Sequence, residues 1–296
     1  MGKRKLSERQ NLQKQSAREM TVAKRDDMVQ KGRHQLSVRE QRCVLYAISK
    51  IRPTDEVFQE YTFSLSDFYA LCGLADESYT ELKSILLGLK QKTWWAETSP
   101  GIESTISWFN KVRTNKREGR VTIRFDDDMM PYLLQLTKQD AFYTSFSLQY
   151  VLPMSSQYSP RLYEILKSYQ KNNREWFFSL EELKRLLDCQ SYDRWPDFRR
   201  RVLEPAVEEI NQYTDINIAW DVQKEGRKIT RVIFYMADKS DDALLDAKRA
   251  IQEKLDGQLS IEDIMTRLPD EGKESVREKF MRENPPKRKK APSEGF

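Results

Sequence analysis

The chain of 296 residues contains a single histidine, His34, in KGRHQL. A metal site built from closely spaced histidines, of the kind that nicking and strand-transfer enzymes set beside a nucleophilic tyrosine, therefore cannot be assembled. The three cysteines, Cys43, Cys72 and Cys189, are odd in number and far apart, each inside an apolar pattern (RCVLYAI, YALCGL, LLDCQ). They read as buried thiols of a reducing compartment, not as a disulfide frame or a zinc site. No G-x-x-x-x-G-K-[ST] phosphate loop occurs, so ATPase activity is unsupported. No run approaches the roughly 20 apolar residues of a membrane helix, and the start, MGKRKLSERQNLQKQSAREM, lacks the apolar centre of a signal peptide. The sequence thus predicts a cytoplasmic chain with no membrane partner, no metal, no cofactor and no catalytic residues. The carboxylate cluster Asp126, Asp127 and Asp128 could hold Mg²⁺, but it directly precedes MMPYLLQL, where capping a helix is the favoured role.

What is present is charge. Charged residues make up 33% of the chain and hydrophobic residues 39%, enough apolar material for compact cores under a very polar surface. At about 150 residues per domain, the length suggests two domains plus extensions. The net charge of +5 is unevenly spread: residues 1–50 hold 13 Lys plus Arg against 5 Asp plus Glu. Such a segment attracts polyanions by releasing their counterions, which makes nucleic acid a candidate partner; a solvated, flexible lead-in over the first residues fits the same composition.

An internal repeat organises the rest. FSLSDFYAL (63–71) is matched by FSLEELKRL (178–186). In each, a Ser stands at an N-cap position with an acid three residues on, Ser64 with Asp67 and Ser179 with Glu182, and Phe63 with Phe68 or Phe178 with Leu183 can close a hydrophobic staple. Upstream, Leu36, Val44, Ala47, Ile48 and Ile51 recur at helical spacing, as do Leu162, Ile165, Leu166 and Tyr169, with Ser159 and Pro160 as N-cap and first-turn pair. Downstream, each copy has a third amphipathic helix, YTELKSILLGLKQ and DFRRRVLEPAVEEINQ, then two β-rich runs joined by a basic loop, around Asn115–Gly119 in one and KEGRK in the other. Helix, strand, helix, helix, hairpin is the winged-helix order, in which the third helix enters the major groove and the hairpin lies along phosphates. The fold class expected is α+β, two tandem winged-helix domains. The expected division is a basic flexible segment 1–27, domain 1 over 28–141, domain 2 over 142–240 and a C-terminal extension 241–296.

The contacts can be placed by helical phase. At about 100° per residue, Phe198, Val202, Ala206 and Ile210 face inward, Arg200 and Arg201 fall opposite, and Glu204 and Glu208 lie behind them. The first turn is cationic and the second half acidic, so only the first turn suits the groove, where arginine grips guanine O6 and N7. Arg200 and Arg201 are therefore the expected base readers of domain 2. Arg199, nearer the apolar side, Arg194 before the helix, and Lys224, Arg227 and Lys228 on the wing are expected on the backbone. In domain 1 the helix face carries Thr80, Lys83 and Ser84, while the wing carries Lys111, Arg113, Lys116, Arg117 and Arg120, a set suited to gripping phosphate.

The ordered combination SSQYSPRLYEILKSYQ (155–170), WFFSLEELKRLL and DFRRRVLEPAVEEINQYTDI closely resembles the iteron-binding plasmid replication initiator family; residues 28–136 are similar to that family's N-terminal domain, more loosely. The resemblance implies a bacterial protein that binds directly repeated origin sites on double-stranded DNA as a monomer, melts a neighbouring AT-rich region and recruits the host replicative helicase, often with the host initiator. It also implies a homodimer, formed through the first domain, that represses its own gene at an inverted repeat. Arg200 and Arg201 fall on the family's base-reading positions, and the Leu148 to Tyr169 stretch falls on the helix that rearranges between monomer and dimer. A purely transcriptional repressor would use the same contacts, while a nicking or strand-transfer enzyme is disfavoured. Beyond residue 240, DALLDAKRAIQEKL reads as an amphipathic helix, followed by a short helical stretch and a disordered basic end, PPKRKKAPSEGF, with no role assigned.

Overall fold

The computed structural model describes residues 20–51, 55–72, 78–99, 101–136 and 142–256. Strand β1 (Thr21–Arg25) leads into helix α1 (Asp26–Lys31), and α2 (Val38–Ile48) follows. The flexible lead-in expected through residue 27 is thus corrected for residues 20–27. Val22 is fully enclosed, and Lys24 is buried against Glu164 at 2.6 Å. A buried lysine made a strand resemble a solvated basic segment. The winged-helix core then continues with β2 (Tyr61–Ser64), α3 (Leu65–Cys72), α4 (Tyr79–Gln91), a hairpin β3 (Thr93–Ser99) and β4 (Ile102–Ser107), and a second hairpin β5 (Phe109–Asn115) and β6 (Arg120–Phe125). Short α5 (Met130–Leu133) and β7 (Tyr143–Ser147) close the unit, β7 pairing antiparallel with β1.

The second unit comprises α6 (Ser159–Gln170), β8 (Glu175–Ser179), α7 (Leu180–Leu186), a long helix α8 over 195–213, the hairpin β9 (Ile216–Glu225) and β10 (Lys228–Asp238), and α9 (Asp241–Asp256). The repeat is exact in topology at the sheet: the orders are β2-β6-β5 and β8-β10-β9, with Phe63 opposite Val121 and Phe178 opposite Val232. The expected staples close, Phe63 and Phe68 packing edge to face at 5.3 Å and Phe178 and Leu183 both buried. Ser179 accepts from the Glu182 N–H at 3.1 Å. A full reciprocal capping box lies at Ser37 and Glu40, ahead of α2.

Three details depart from expectation. The two β-rich runs expected around the basic loop are preceded by a further hairpin, β3–β4, that the sequence does not predict; Trp94 on β3 and Trp108 just after β4 are both buried, and the Trp94 indole N–H points at Met129 Sδ at 3.0 Å. Ser159 is not the cap of α6 but its first residue, with its hydroxyl turned to Glu209. The stretch from Leu148 to Tyr169 is not one helix: Leu148–Tyr150 is a 3₁₀ turn, and α6 begins only at Ser159. Pro153 and Pro160, lacking N–H groups, suit turn and first-turn positions and interrupt a continuous ladder.

Helix α6 is the keel of the molecule. Every residue from Ser159 to Leu166 is buried, because α6 is packed by α1, β7, α8 and β10. Its polar groups are accordingly paired: Glu164 meets Lys24 and Arg161, and Arg161 also donates to the Gly32 carbonyl. Burial dominates the pKa of both cations, lowering Lys24 and Arg161 against the pull of Glu164. Helix α9 matches the amphipathic expectation for 242–255 and packs Ala247, Ile251 and Leu255 inward against α8. The further helical stretch and basic end expected beyond it lie outside the described residues, as do the Cys72 side chain and residues 1–19.

Candidate nucleic-acid interface

Helix α8 carries a run of exposed arginines in the second unit. Its residues Phe198, Val202, Ala206 and Ile210 are fully buried, as the phase argument required. Steps of four residues drift by about 40° each on an α-helix of 3.6 residues per turn. Residues Arg199–Leu203 adopt a π turn in which the Glu204 N–H bonds to the Arg199 carbonyl. This wider turn takes up the drift, and it also accommodates Pro205, whose ring would crowd the carbonyl four residues back. The helix start is pinned to the wing by Trp195, 5.8 Å from Phe198 and 6.0 Å, edge to face, from Trp220 on β9.

Arg194, Arg199, Arg200 and Arg201 are all exposed. Asp197 lies between Arg194 at 4.0 Å and Arg200 at 3.8 Å, while Arg199 reaches Glu204 at 3.2 Å. Arg199 therefore projects to solvent, not toward the apolar side. Exposed pairs of this length contribute about 0–1 kcal/mol, so a phosphate or a guanine edge competes with them easily. On the wing, Gly226 takes φ +61° at the turn, and Lys224, Arg227 and Lys228 are exposed around it, Lys228 being 4.0 Å from Glu181.

In the first unit, Thr80, Lys83 and Ser84 are exposed on α4 above buried Leu82, Leu86 and Leu89. Arg113, Lys116, Arg117 and Arg120 are exposed on the wing, whose turn uses Gly119 at φ +64°. Lys111 is half-buried and tied to Glu60, whose carboxyl it holds below the usual range through their hydrogen bond. It is the least available cation of that set.

Tyr79 was missed by sequence reasoning. Its ring sits between Lys83 of α4, 5.8 Å from the centroid, and Lys116 of the wing, at 5.4 Å, and its hydroxyl is 2.8 Å from Thr114 Oγ1 on β5. One aromatic thus brings the helix cation and the wing cation together. An aromatic opening a helix next to a basic wing was the available signal, but only the fold joins positions 79 and 116.

The aspartate cluster caps a 3₁₀ turn, Asp126 accepting from the Asp128 N–H at 3.1 Å, and Asp127 pairs with Arg124. Among the described residues no group of three or more His, Cys, Asp or Glu side chains is set to hold a metal. No helix of the described residues is long and apolar enough to cross a membrane.

Two copies of helix, strand, helix, helix and hairpin, each exposing cations on its third helix and hairpin, define a tandem winged-helix protein of the nucleic-acid-binding class. Residues 21–167 match the family of the initiator replication protein, first winged-helix domain, and residues 179–236 match the initiator Rep protein, second winged-helix domain. The chain belongs to this initiator Rep protein family; neither match is to an enzymatic family. It is 30% identical over 161 residues to the PI protein of Escherichia coli, covering 47% of this chain and 52% of that protein. The chain thus matches about half the length of that relative. In fold it is similar to the Pi initiator protein solved in complex with iteron DNA, with a TM-score of 0.61 and 22% identity over 76% of this chain and 99% of that one. A weaker likeness, at a TM-score of 0.44 and 11% identity, is to domains 2 and 3 of RctB, over 71% and 86% of the two chains.

Proposed function

We propose that the chain initiates plasmid replication by binding directly repeated origin sites on double-stranded DNA. The observation that carries this reading is membership of the initiator Rep family together with two surfaces, one per winged helix, on which a third helix and a wing expose cations side by side. A monomer lays one unit in each of two successive major grooves. The second unit reads bases through the first turn of α8, with exposed Arg200 and Arg201 as the readers. Arg194, Arg199, Lys224, Arg227 and Lys228 hold the backbone. The first unit mainly grips phosphate, with Lys83 and Lys116 gathered at Tyr79 and Thr80, Ser84, Arg113, Arg117 and Arg120 around them.

Binding melts an adjacent AT-rich region and brings in the host replicative helicase, with the host initiator. A homodimer formed through the first unit represses the chain's own gene at an inverted repeat. The chain itself performs no bond-breaking chemistry and acts in the bacterial cytoplasm. Its domains divide near residues 141 and 240. Footprinting on the DNA flanking the gene, with monomer and dimer fractions run separately, tests the reading. Regularly spaced direct repeats protected by monomer are expected; a lone palindrome protected only by dimer would make the protein a repressor instead. Covalent nicking of supercoiled origin DNA with Mg²⁺ would make it an enzyme.

A further inference from the structure

A cleft of about 550 Å³ opens between the two units, lined by Arg39 on one side, Arg201 and Pro205 on the other, and Ser155 and Ser156 at its floor. Its position relative to the two third helices follows from its walls. Arg39 is ion-paired with Glu81 in the first turn of α4, and Arg201 stands in the first half of α8. The cleft therefore lies beside the leading ends of both helices that face DNA in the proposed function.

Each wall is held in place. The Arg39 side belongs to the first turn of α2, where Ser37 and Glu40 cap each other. At the floor, the Glu209 carboxylate accepts from the Ser155 N–H at 2.8 Å, the Ser155 hydroxyl at 2.5 Å and the Ser156 N–H at 3.2 Å. The Arg201 side is the π turn before Pro205.

Glu81 is engaged by Arg39, and Glu209 by the serines of the floor. Arg201 makes no hydrogen bond or ion pair among the described residues. Two guanidinium groups thus border one cleft whose lining includes no carboxylate, Glu209 keeping its charge behind the serines that it holds. A guanidinium offers five donors in a planar fork, so Arg39 can hold Glu81 and still present N–H groups to another oxyanion. A duplex that passes from the groove of one unit to the groove of the other must carry its sugar-phosphate backbone across this gap.

We propose that the cleft seats a backbone phosphate of the DNA segment joining the two grooves, held between Arg39 of the first unit and Arg201 of the second. The inference rests on the DNA-binding function proposed above and deepens it. It moves Arg201 from base reading to positioning, and leaves Arg200 as the reader. It also gives the two units a shared contact that fixes their spacing on the duplex, because a phosphate touched from both sides is lost if either unit slips.

The test uses the full chain and a duplex that it enriches from a random-sequence pool. Single neutral methylphosphonate linkages are walked along that duplex and binding is measured against salt. For the native chain, one or two linkages midway between the protected grooves should weaken binding several-fold. In R39Q/R201Q those linkages should carry no penalty, and the slope of log affinity against log salt should be shallower by about 0.9, the value of one neutralised phosphate. R39K/R201K, which keeps both charges, should retain the native slope and controls for folding. A double variant with native slope and native linkage penalties overturns the inference while the DNA-binding function stands. So does an R201Q variant that loses base preference at unchanged slope. Failure of the full chain to enrich any duplex would overturn the DNA-binding function itself, and the seat with it.

Discussion

The hydroxyl of Ser159, the first residue of α6, donates to the carboxylate of Glu209, near the end of α8, at 2.5 Å. With the contacts from Ser155 and Ser156, this one carboxylate ties α8 to the segment that enters α6 from the first unit. It also places a negative charge at the start of α6, where backbone N–H groups are unpaired and the helix dipole favours it. Glu209→Ala should destabilise the chain by about 1.5–3 kcal/mol, the range for hydrogen bonds to a charged group. Glu209→Gln should cost less. Urea unfolding of both variants checks the order.

The two surfaces should respond differently to loss of a cation. Arg200→Ala should cost about 1–3 kcal/mol on the preferred duplex and flatten the preference at one base position. Lys83→Ala should weaken all duplexes alike and make the salt dependence shallower by about 1. Competition binding against duplexes with single base changes separates the two patterns; the reverse pattern would exchange the roles of the units.

His34 should make stability fall in acid. Burial first, then the nearby charges of Arg161 and Lys24, hold its pKa well below the ordinary value. The ring lies edge to face on Trp108 at 5.2 Å, and its Nδ1 has no hydrogen-bond partner. The folded chain therefore refuses a proton that the unfolded chain accepts near pH 6.5. As pH drops below that value the unfolded state binds more protons, and stability is lost at a limiting slope of about 1.4 kcal/mol per pH unit. His34→Phe keeps an aromatic ring on Trp108 and should remove that component of the loss between pH 7 and 5, read from denaturant midpoints.

How much of this was legible in the sequence depends on the range of the interactions. The repeat, the staples and the inward stripe of α8 are local patterns, set by spacings of three to five residues, and the fold reproduces them. Lys24 and Trp94 were not legible. A lysine is read as solvated until a glutamate 140 residues away is known to meet it, and the partner of the Trp94 indole, Met129, lies 35 residues away. The exposure of the candidate cations followed from helical phase. The groupings at Tyr79, Glu209 and the Arg39–Arg201 cleft did not, since each joins elements that only the packed chain brings together.

Removing residues after 240 should destabilise the second unit. The family match ends at residue 236, yet α9 buries Ile251 and Leu255 against the back of α8. At about 1.5–3 kcal/mol for each large aliphatic side chain, the loss should be several kcal/mol. A truncation after 256, which keeps α9, should retain that component of the stability. Thermal unfolding of the two truncations compares them.

The π turn in α8 gives the arginine run a second property, that of a measured spacer. A turn with five-residue closure holds one residue more than its α-helical equivalent, so the part of α8 before it is indexed separately from the part after it. Exchanging Arg199 for lysine alters a charge contact but preserves the index. Deleting one residue from 199–203 would leave Ala206 and Ile210 seated while turning Arg194 and the wing-facing Trp195 by about 100° about the helix axis. In this helix the number of residues between Phe198 and Pro205 sets the angle between the arginine run and the buried stripe.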